Sequence, residues 1–209
     1  MNNFDCVVVG GGMIGAASAL SLASLGLRVA IIEKHQPQRF DASQAIDLRV
    51  SAISLASQHL LTQLEAWPQL QQWRMCPYKR LGVWEHQTSY TEFNADDIKK
   101  NHLGHIIENR LIQLSLWQQM TQHEDITLFC PATLLNFSSA EKEVSLSIVN
   151  NESSEEIQIK TKILIAADGA NSQVRKLANI GMTGWDYQQS AMLINVETET
   201  QQQDITLLT

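Results

Sequence analysis

The sequence predicts an α/β fold: a parallel sheet wound with helices, interrupted by a meander hairpin, with the start of a second, smaller sheet. Three stretches predict it. "FDCVVVGGGMIG", residues 4–15, runs β-formers into a glycine cluster. The apolar helical pattern after it leads into a second apolar strand, "RVAIIEK", residues 28–34. Far along the chain, "KILIAADGANSQVRKLA", residues 162–178, again reads as buried strand, tight turn and helix.

Each element follows from local pattern. Phe4 to Val9 is a short buried strand, Met13 to Leu25 a helix rich in Ala and Leu, and Gly26 stands where a helix end favours a left-handed residue. Arg28 to Glu33 is the second strand. "HQPQRFDASQAIDLR", residues 35–49, lacks periodicity and is a long loop, a class that tends to be functional or disordered. From Ser51 the spacing is helical, with Ile53, Ala56, Leu60 and Leu64 on one face, and Pro68 suits the first turn of another short helix. "RLGVWEH" and "SYTEF" read as strands of a separate small sheet. Leu111 to His123 is a helix with Ile112, Leu116 and Met120 on one stripe, and "ITLFC", residues 126–130, is a buried strand. Val144, Leu146 and Ile148 alternate with polar residues, as do Ile157 and Ile159, around Asn150-Asn151: a half-exposed hairpin. "AMLINVETETQQQDITLLT", residues 191–209, begins as a strand.

Composition narrows the function. In 209 residues, 44% apolar and 18% charged residues fit a globular chain able to bury a sizeable core. The net charge of −7 and scattered Lys and Arg supply no basic stripe, so nucleic acid is not an expected partner. Cys6, Cys76 and Cys130 are far apart and odd in number, which suits reduced thiols better than a disulfide framework. His102 and His105 lack the third partner of a recognisable metal spacing, and no metal site is expected. Residues 6–32 are apolar enough to suggest a signal peptide or a membrane span. However, only Asp5 among charged residues precedes the run, and Gly10, Gly11, Gly12 and Gly15 interrupt it.

The chemistry lies in the turns. In Gly10-x-Gly12-x-x-Gly15 the first glycine permits the tight turn, the second lets backbone N–H groups approach a pyrophosphate, and the third lets helix pack on strand. The helix start then meets the phosphates with its dipole and free amides. Glu33 ends the second strand, where a carboxylate accepts from ribose hydroxyls and repels a 2′-phosphate, with Lys34 beside it. These features point to a dinucleotide in a Rossmann-like site without separating NAD from FAD. Asp168-Gly169, with Ser172 and Arg175 following, either presents a carboxylate and amides to a nucleotide or is an ordinary Asp-Gly turn.

The two fingerprints "GGGMIG" and "ADGANSQVR" resemble those of the class A flavoprotein aromatic hydroxylases, the para-hydroxybenzoate hydroxylase type. "DLRVSAISLASQHLL" (47–61) and "LGHIIENRLIQLSLW" (103–117) look like segments of the ubiquinone-biosynthesis hydroxylases within that family. "CPYKRLGVWE" (76–85) and "WDYQQSAMLI" (185–194) look most like those acting on demethoxyubiquinol. The resemblance runs from Phe4 to about Ile205. It implies FAD as cofactor, with Gly10, Gly12 and Gly15 at its pyrophosphate, Glu33 at the adenosine ribose and Lys34 among the cofactor-binding residues. It further implies Arg49 at the flavin side, Asn109 at a polar FAD-contacting position where many relatives carry Arg, and Asp168 and Gly169 at a motif serving FAD and the nicotinamide donor. Arg110 stands beside Asn109 as a substitute cation. The implied reaction uses NAD(P)H and O₂ to hydroxylate a polyprenylated benzoquinol. Because that ring is already electron-rich, positioning and water exclusion suffice, and no catalytic residue is nominated. His86 and Tyr90 read as ordinary strand residues.

The resemblance also sets expectations for organisation. Residues 1–75 and 103–182 are expected to form a discontinuous, incomplete FAD-binding domain, and 76–102 with 183–209 part of a substrate-binding sheet. The family is about twice as long: its late Gly-Asp motif, further sheet strands and C-terminal helices find no counterpart in a chain ending "LLT", so an N-terminal fragment with exposed apolar sheet surface is expected. The lipid substrate implies a cytoplasmic protein peripheral to the inner membrane or touching partner proteins. A plain NAD-dependent dehydrogenase and a non-catalytic remnant that at most binds a nucleotide are the alternatives.

Overall fold

The structure, a computed structural model, describes residues 2–86, 89–199 and 204–208. In chain order its elements are β1 (Asn2–Val9), α1 (Met13–Ala23), β2 (Val29–Ile32), β3 (Val50–Ser54), α2 (Leu55–Gln63), α3 (Trp67–Gln72), β4 (Cys76–Tyr78), β5 (Arg80–His86) and β6 (Ser89–Asn94). After a 3-10 turn at Ala95–Ile98 come β7 (Gly104–Glu108), α4 (Asn109–Met120), β8 (Ile126–Phe129), β9 (Ala132–Ser139), β10 (Val144–Asn150), β11 (Glu156–Ala166), α5 (Gln173–Leu177) and β12 (Ile205–Leu208). Two compact units result: Met1–Phe40 with Gln113–Ser190, and Asp41–Ile112 with Ala191–Thr209.

The first unit is built on a six-stranded sheet in the order β8-β2-β1-β11-β10-β9. β8, β2, β1 and β11 run parallel, whereas β10 and β9 continue antiparallel as a meander. This is a Rossmann-like arrangement. From β1 the chain winds outward through β2 to β8 and later returns on the opposite side of β1 as β11. Crossovers leaving a strand in both directions open a crevice at its carboxyl end. Valines 7 and 8 are fully buried, as are the β2 residues Val29, Ala30 and Ile31. α1 lies close because its buried face is small: Gly15, Ala16, Ala19 and Ala23, with Leu20. It stops where expected, since Gly26 takes φ +77° and donates to the Ala23 carbonyl. A core of Val7, Val9, Ile32, Leu134, Leu146, Ile148, Ile159 and Val174 joins the parallel strands to the meander and α5.

The expected hairpin and the expected final buried strand share one element. β11 pairs antiparallel with β10 through Glu156–Thr161 and parallel with β1 through Ile159–Ala166. It is not buried throughout, for Ile163 is 54% exposed. β9 is a third meander strand that the sequence pattern had not marked.

In the second unit β3, β7 and β4 form one antiparallel sheet, and β12, β5 and β6 a second. The small sheet expected from "RLGVWEH" and "SYTEF" is present as β5 and β6. Two expectations need correction. Val50–Ser54 is a strand: its backbone pairs with Gly104–Glu108, and the helix starts at Leu55, capped by Ser54. α2 consequently buries Leu61, and Leu64 at its C-cap is also buried, while Leu60 is 42% exposed. Residues 191–199 contain no strand; the strand lies at Ile205–Leu208, parallel to β5. The domain bounds also differ from expectation. β7 pairs with both β3 and β4, so the ladder carries 41–75 and 103–112 into the second unit. Ile112, Leu116 and Met120 of α4 are buried as the stripe predicts.

Candidate functional site

A cavity of about 390 Å³ opens in the first unit at the carboxyl ends of β1, β2 and β11. Val9, Ile32, Ala132 and Leu134 give it apolar walls, and Gly10, Gly12, Glu33, Lys34, Asp168, Gly169, Asn171 and Gln173 supply its polar and backbone lining. Six of the nine sequence-nominated positions thus surround one space.

The strand register brings the two turns together. Val9 pairs with Ile32 on one side and with Ala166 on the other. The next residues are tied to their neighbours, with Gly10 N donating to Ile32 O at 2.9 Å and Ala167 N to Val9 O at 2.8 Å. Gly10 takes φ +103°, and a Cβ there would overlap the Ala167 carbonyl oxygen and lie 2.9 Å from Asp168 N. A Cβ on Gly15 would run into the Gly10 carbonyl, so this position sets the distance between helix and turn. Gly12 differs from both: its φ is −66°, and a Cβ would meet nothing within 4 Å. Gly12 caps α1 without a side-chain hydrogen bond, and the first turn carries no acid. That helix start therefore keeps the electropositive character of uncapped amides.

Between these glycines, Gly11 is gripped from three directions. Its carbonyl accepts from Trp117 Nε1 at 2.6 Å and Gln113 Nε2 at 2.8 Å, and its amide donates to Glu33 Oε2. A Cβ on Gly11 would lie 2.8 Å from Trp117 Cζ2. Sequence reading missed this clamp: it marked Ile112, Leu116 and Met120 as the stripe of α4, and that stripe says nothing about where the neighbouring Gln113 and Trp117 point.

Both acids of the cavity are engaged by backbone. Glu33 Oε1 accepts from Lys34 N at 2.7 Å and His35 N at 3.0 Å, in addition to the Gly11 contact of Oε2. A carboxylate has about four lone-pair sites, so Glu33 retains capacity for another donor. Asp168 accepts from Ser172 Oγ, from Gln173 N at 2.6 Å and from Val174 N at 3.1 Å. Burial alone would raise the Asp168 carboxyl, but these hydrogen bonds outweigh it and hold the group below its ordinary value. Ser172 passes the connection on by accepting from Arg175 N at 3.0 Å. Asp168 is thus first an anchor for α5. Gly169, at φ +79°, faces open space. Gln173, also on the wall, donates to Leu134 O at 2.7 Å.

Gly15 supports the turn from behind, and the remaining two nominated residues belong to the second unit, where they sit side by side. Asn109 N donates to Arg49 O at 2.9 Å, and Asn109 Oδ1 accepts from Ser51 Oγ at 2.6 Å. Arg110 does not stand as a spare cation: its guanidinium contacts Gln44 Oε1 at 2.7 Å and Glu108 Oε2 at 3.4 Å. Among the described residues none of Cys6, Cys76 and Cys130 is in a disulfide, and no group of three or more His, Cys, Asp or Glu is placed to hold a metal ion.

Known proteins resemble this chain in sequence and in fold. The chain is 41% identical to the 3-demethoxyubiquinol 3-hydroxylase of Escherichia coli over 97% of its own length and 50% of that protein. It is 29% identical to the ubiquinone hydroxylase UbiL of Rhodospirillum rubrum, over 93% of this chain and 44% of the other. The chain spans about half the length of these relatives. Among solved structures, p-nitrophenol 4-monooxygenase PnpA of Pseudomonas putida superposes with a TM-score of 0.71 at 15% identity, covering 88% of this chain and 46% of that one, a likeness of fold. The profile of the FAD binding domain matches residues 3–207, a span that takes in both turns at the cavity, and to that family the chain belongs.

Proposed function

We propose that the chain holds FAD for a monooxygenase that hydroxylates a polyprenylated benzoquinol in ubiquinone biosynthesis, with NAD(P)H as electron donor and O₂ as co-substrate. The observation that carries the cofactor reading is the contact between the Gly10 and Asp168 turns at the carboxyl ends of β1 and β11. The open side of Gly12 leaves room for a pyrophosphate against the uncapped start of α1, and the cavity's glycine and carboxylate lining fits a dinucleotide. The substrate class rests on the 41% identity to a demethoxyubiquinol hydroxylase.

In this reading Gly10, Gly12 and Gly15 shape the pyrophosphate cradle, Glu33 offers its remaining lone pairs to the adenosine ribose, and Lys34 lies along the same wall. Asp168 holds α5 in place so that Gly169 presents its backbone to the cofactor. When bound, the flavin supplies redox chemistry and oxygen activation. The chain's own residues bind, orient and exclude water. Among the described residues no helix is long and apolar enough to cross a membrane. A polyprenyl tail nevertheless requires access to a lipid surface, which fits a cytoplasmic protein peripheral to the inner membrane or working in a biosynthetic complex.

Titration of the purified chain with FAD, followed by flavin fluorescence and absorbance with NAD⁺ as competitor, tests the cofactor reading. Saturable FAD uptake that NAD⁺ does not displace is expected. Uptake of NAD⁺ alone, or of neither nucleotide, overturns it. A short-tailed benzoquinol that perturbs the bound flavin's spectrum, where a simple phenol does not, would support the substrate class.

A further inference from the structure

Gly11 lies between two residues that line the cavity, Gly10 and Gly12, and is itself buried. Its backbone is not left-handed, so conformation alone does not demand a glycine there. Close approach does: a Cβ would stand 2.8 Å from Trp117 Cζ2 and 3.0 Å from both Glu33 Cβ and Glu33 Cγ. The two donors to the Gly11 carbonyl, Gln113 Nε2 at 2.8 Å and Trp117 Nε1 at 2.6 Å, come from one face of α4, one turn apart. A carbonyl oxygen has two lone pairs, and these donors use both. Trp117 is only 3% exposed, so its indole N–H would be left unpaired in the interior if the Gly11 oxygen turned away. Glu33 Oε2 meanwhile holds the Gly11 amide. The peptide joining Gly11 to Gly12 is trans, which directs the Gly12 N–H opposite to the Gly11 oxygen and away from both donors.

We infer that Trp117 and Gln113 are positioning residues that set the direction of the Gly12 N–H for a diphosphate in the cavity. This rests on the reading of that cavity as a dinucleotide site. Two glycines in succession make their shared peptide easy to turn over. The turned-over form would present the Gly11 carbonyl oxygen, in place of an N–H, to a phosphate. An oxygen facing an anion repels it, whereas an N–H at the uncapped start of α1 attracts it. The clamp works from behind the turn, since neither Trp117 nor Gln113 belongs to the cavity lining. Gly11 is accordingly a glycine so that the indole can come close enough to hold its carbonyl.

The experiment compares the affinities of the full chain for FAD, ADP and adenosine by calorimetric titration, in wild type and in variants of the clamp. Trp117→Phe keeps an aromatic ring against Gly11 and removes the N–H. It is expected to weaken FAD and ADP about tenfold each, the penalty for a peptide correctly turned about a tenth of the time. Adenosine, which carries no phosphate, should bind as it does to wild type. Gln113→Leu removes the other donor from a half-buried position and should act in the same direction; it carries the comparison if Trp117→Phe fails to fold. Equal losses for adenosine and ADP would mark a merely structural role, and unchanged FAD and ADP affinities would show that the Gly12 N–H does not depend on the clamp. Either result overturns the inference and leaves the cofactor reading standing. A wild-type chain that takes up neither FAD nor ADP overturns the cofactor reading itself and the inference with it.

Discussion

Gly10 and Ala167, residues from opposite ends of the first unit's sequence, stand so close that a methyl group on the glycine would overlap the alanine carbonyl. The closeness follows from β1 and β11 being adjacent parallel strands whose last paired residues are Val9 and Ala166. Gly10→Ala should therefore damage the fold as well as the site. The left-handed φ costs an L-residue about 1–2 kcal/mol, and forcing the turns apart adds about 1–3 kcal/mol. Thermal unfolding of the apo chain should register this loss before any FAD is added. An unchanged midpoint would mean the two turns are not in contact.

Gly12→Ala should separate binding from stability. Its φ of −66° is open to alanine and the added methyl meets no atom within 4 Å, so the apo midpoint should stay close to wild type. The methyl would instead occupy space at the uncapped start of α1. FAD affinity should fall by more than about tenfold, or about 1.4 kcal/mol. Equal affinity in the variant and the wild type would argue that the pyrophosphate does not lie against this residue.

Parts of the fold were legible because they are local. The glycine spacing, the apolar runs of β1 and β2 and the Ser-capped α5 all show in a few consecutive residues, and each appears where expected. β3 was not legible: Val50–Ser54 has one half-buried β-branched residue, Ile53, whose spacing to Ala56, Leu60 and Leu64 imitates a helix. Its strand identity comes from a partner beginning at Gly104, and no local window contains that pairing. At the site, the sequence pointed to Glu33 and Asp168 but not to their hydrogen-bond partners.

Asp168→Asn tests the anchor at α5. The carboxylate accepts three hydrogen bonds, and an amide oxygen in its place would leave at least one donor poorly paired, at a cost of about 1–2 kcal/mol. The pH dependence follows from the lowered carboxyl. Between the ordinary value of 3.8 and the lower folded value, the unfolded chain binds more protons. The contribution is thus complete above 3.8 and is lost as pH falls through the folded value. Denaturant midpoints followed into acid should converge for wild type and variant. A gap that stays constant into acid would show that the Asp168 charge is not what holds the helix.

His105 gives the second unit its own acid sensitivity. The residue is 8% exposed, and its Nδ1 is buried with no hydrogen-bond partner among the described residues. Its ring meets Trp67 edge-on at 5.0 Å and His102 at 4.4 Å. Burial, and then the charge of His102, push its pKa below the ordinary 6.5. A histidine shifted down is neutral in the folded chain where the unfolded chain already binds a proton, so its contribution is fully present above 6.5 and is lost as pH falls through the folded value. His105→Leu keeps an apolar side chain against Trp67 and removes both the titration and the unpaired nitrogen. Urea unfolding between about pH 7.5 and about pH 5.5 should show stability falling less steeply in the variant than in wild type. Parallel curves would mean that His105 protonates as readily folded as unfolded, and that its burial does not set the acid sensitivity of this unit.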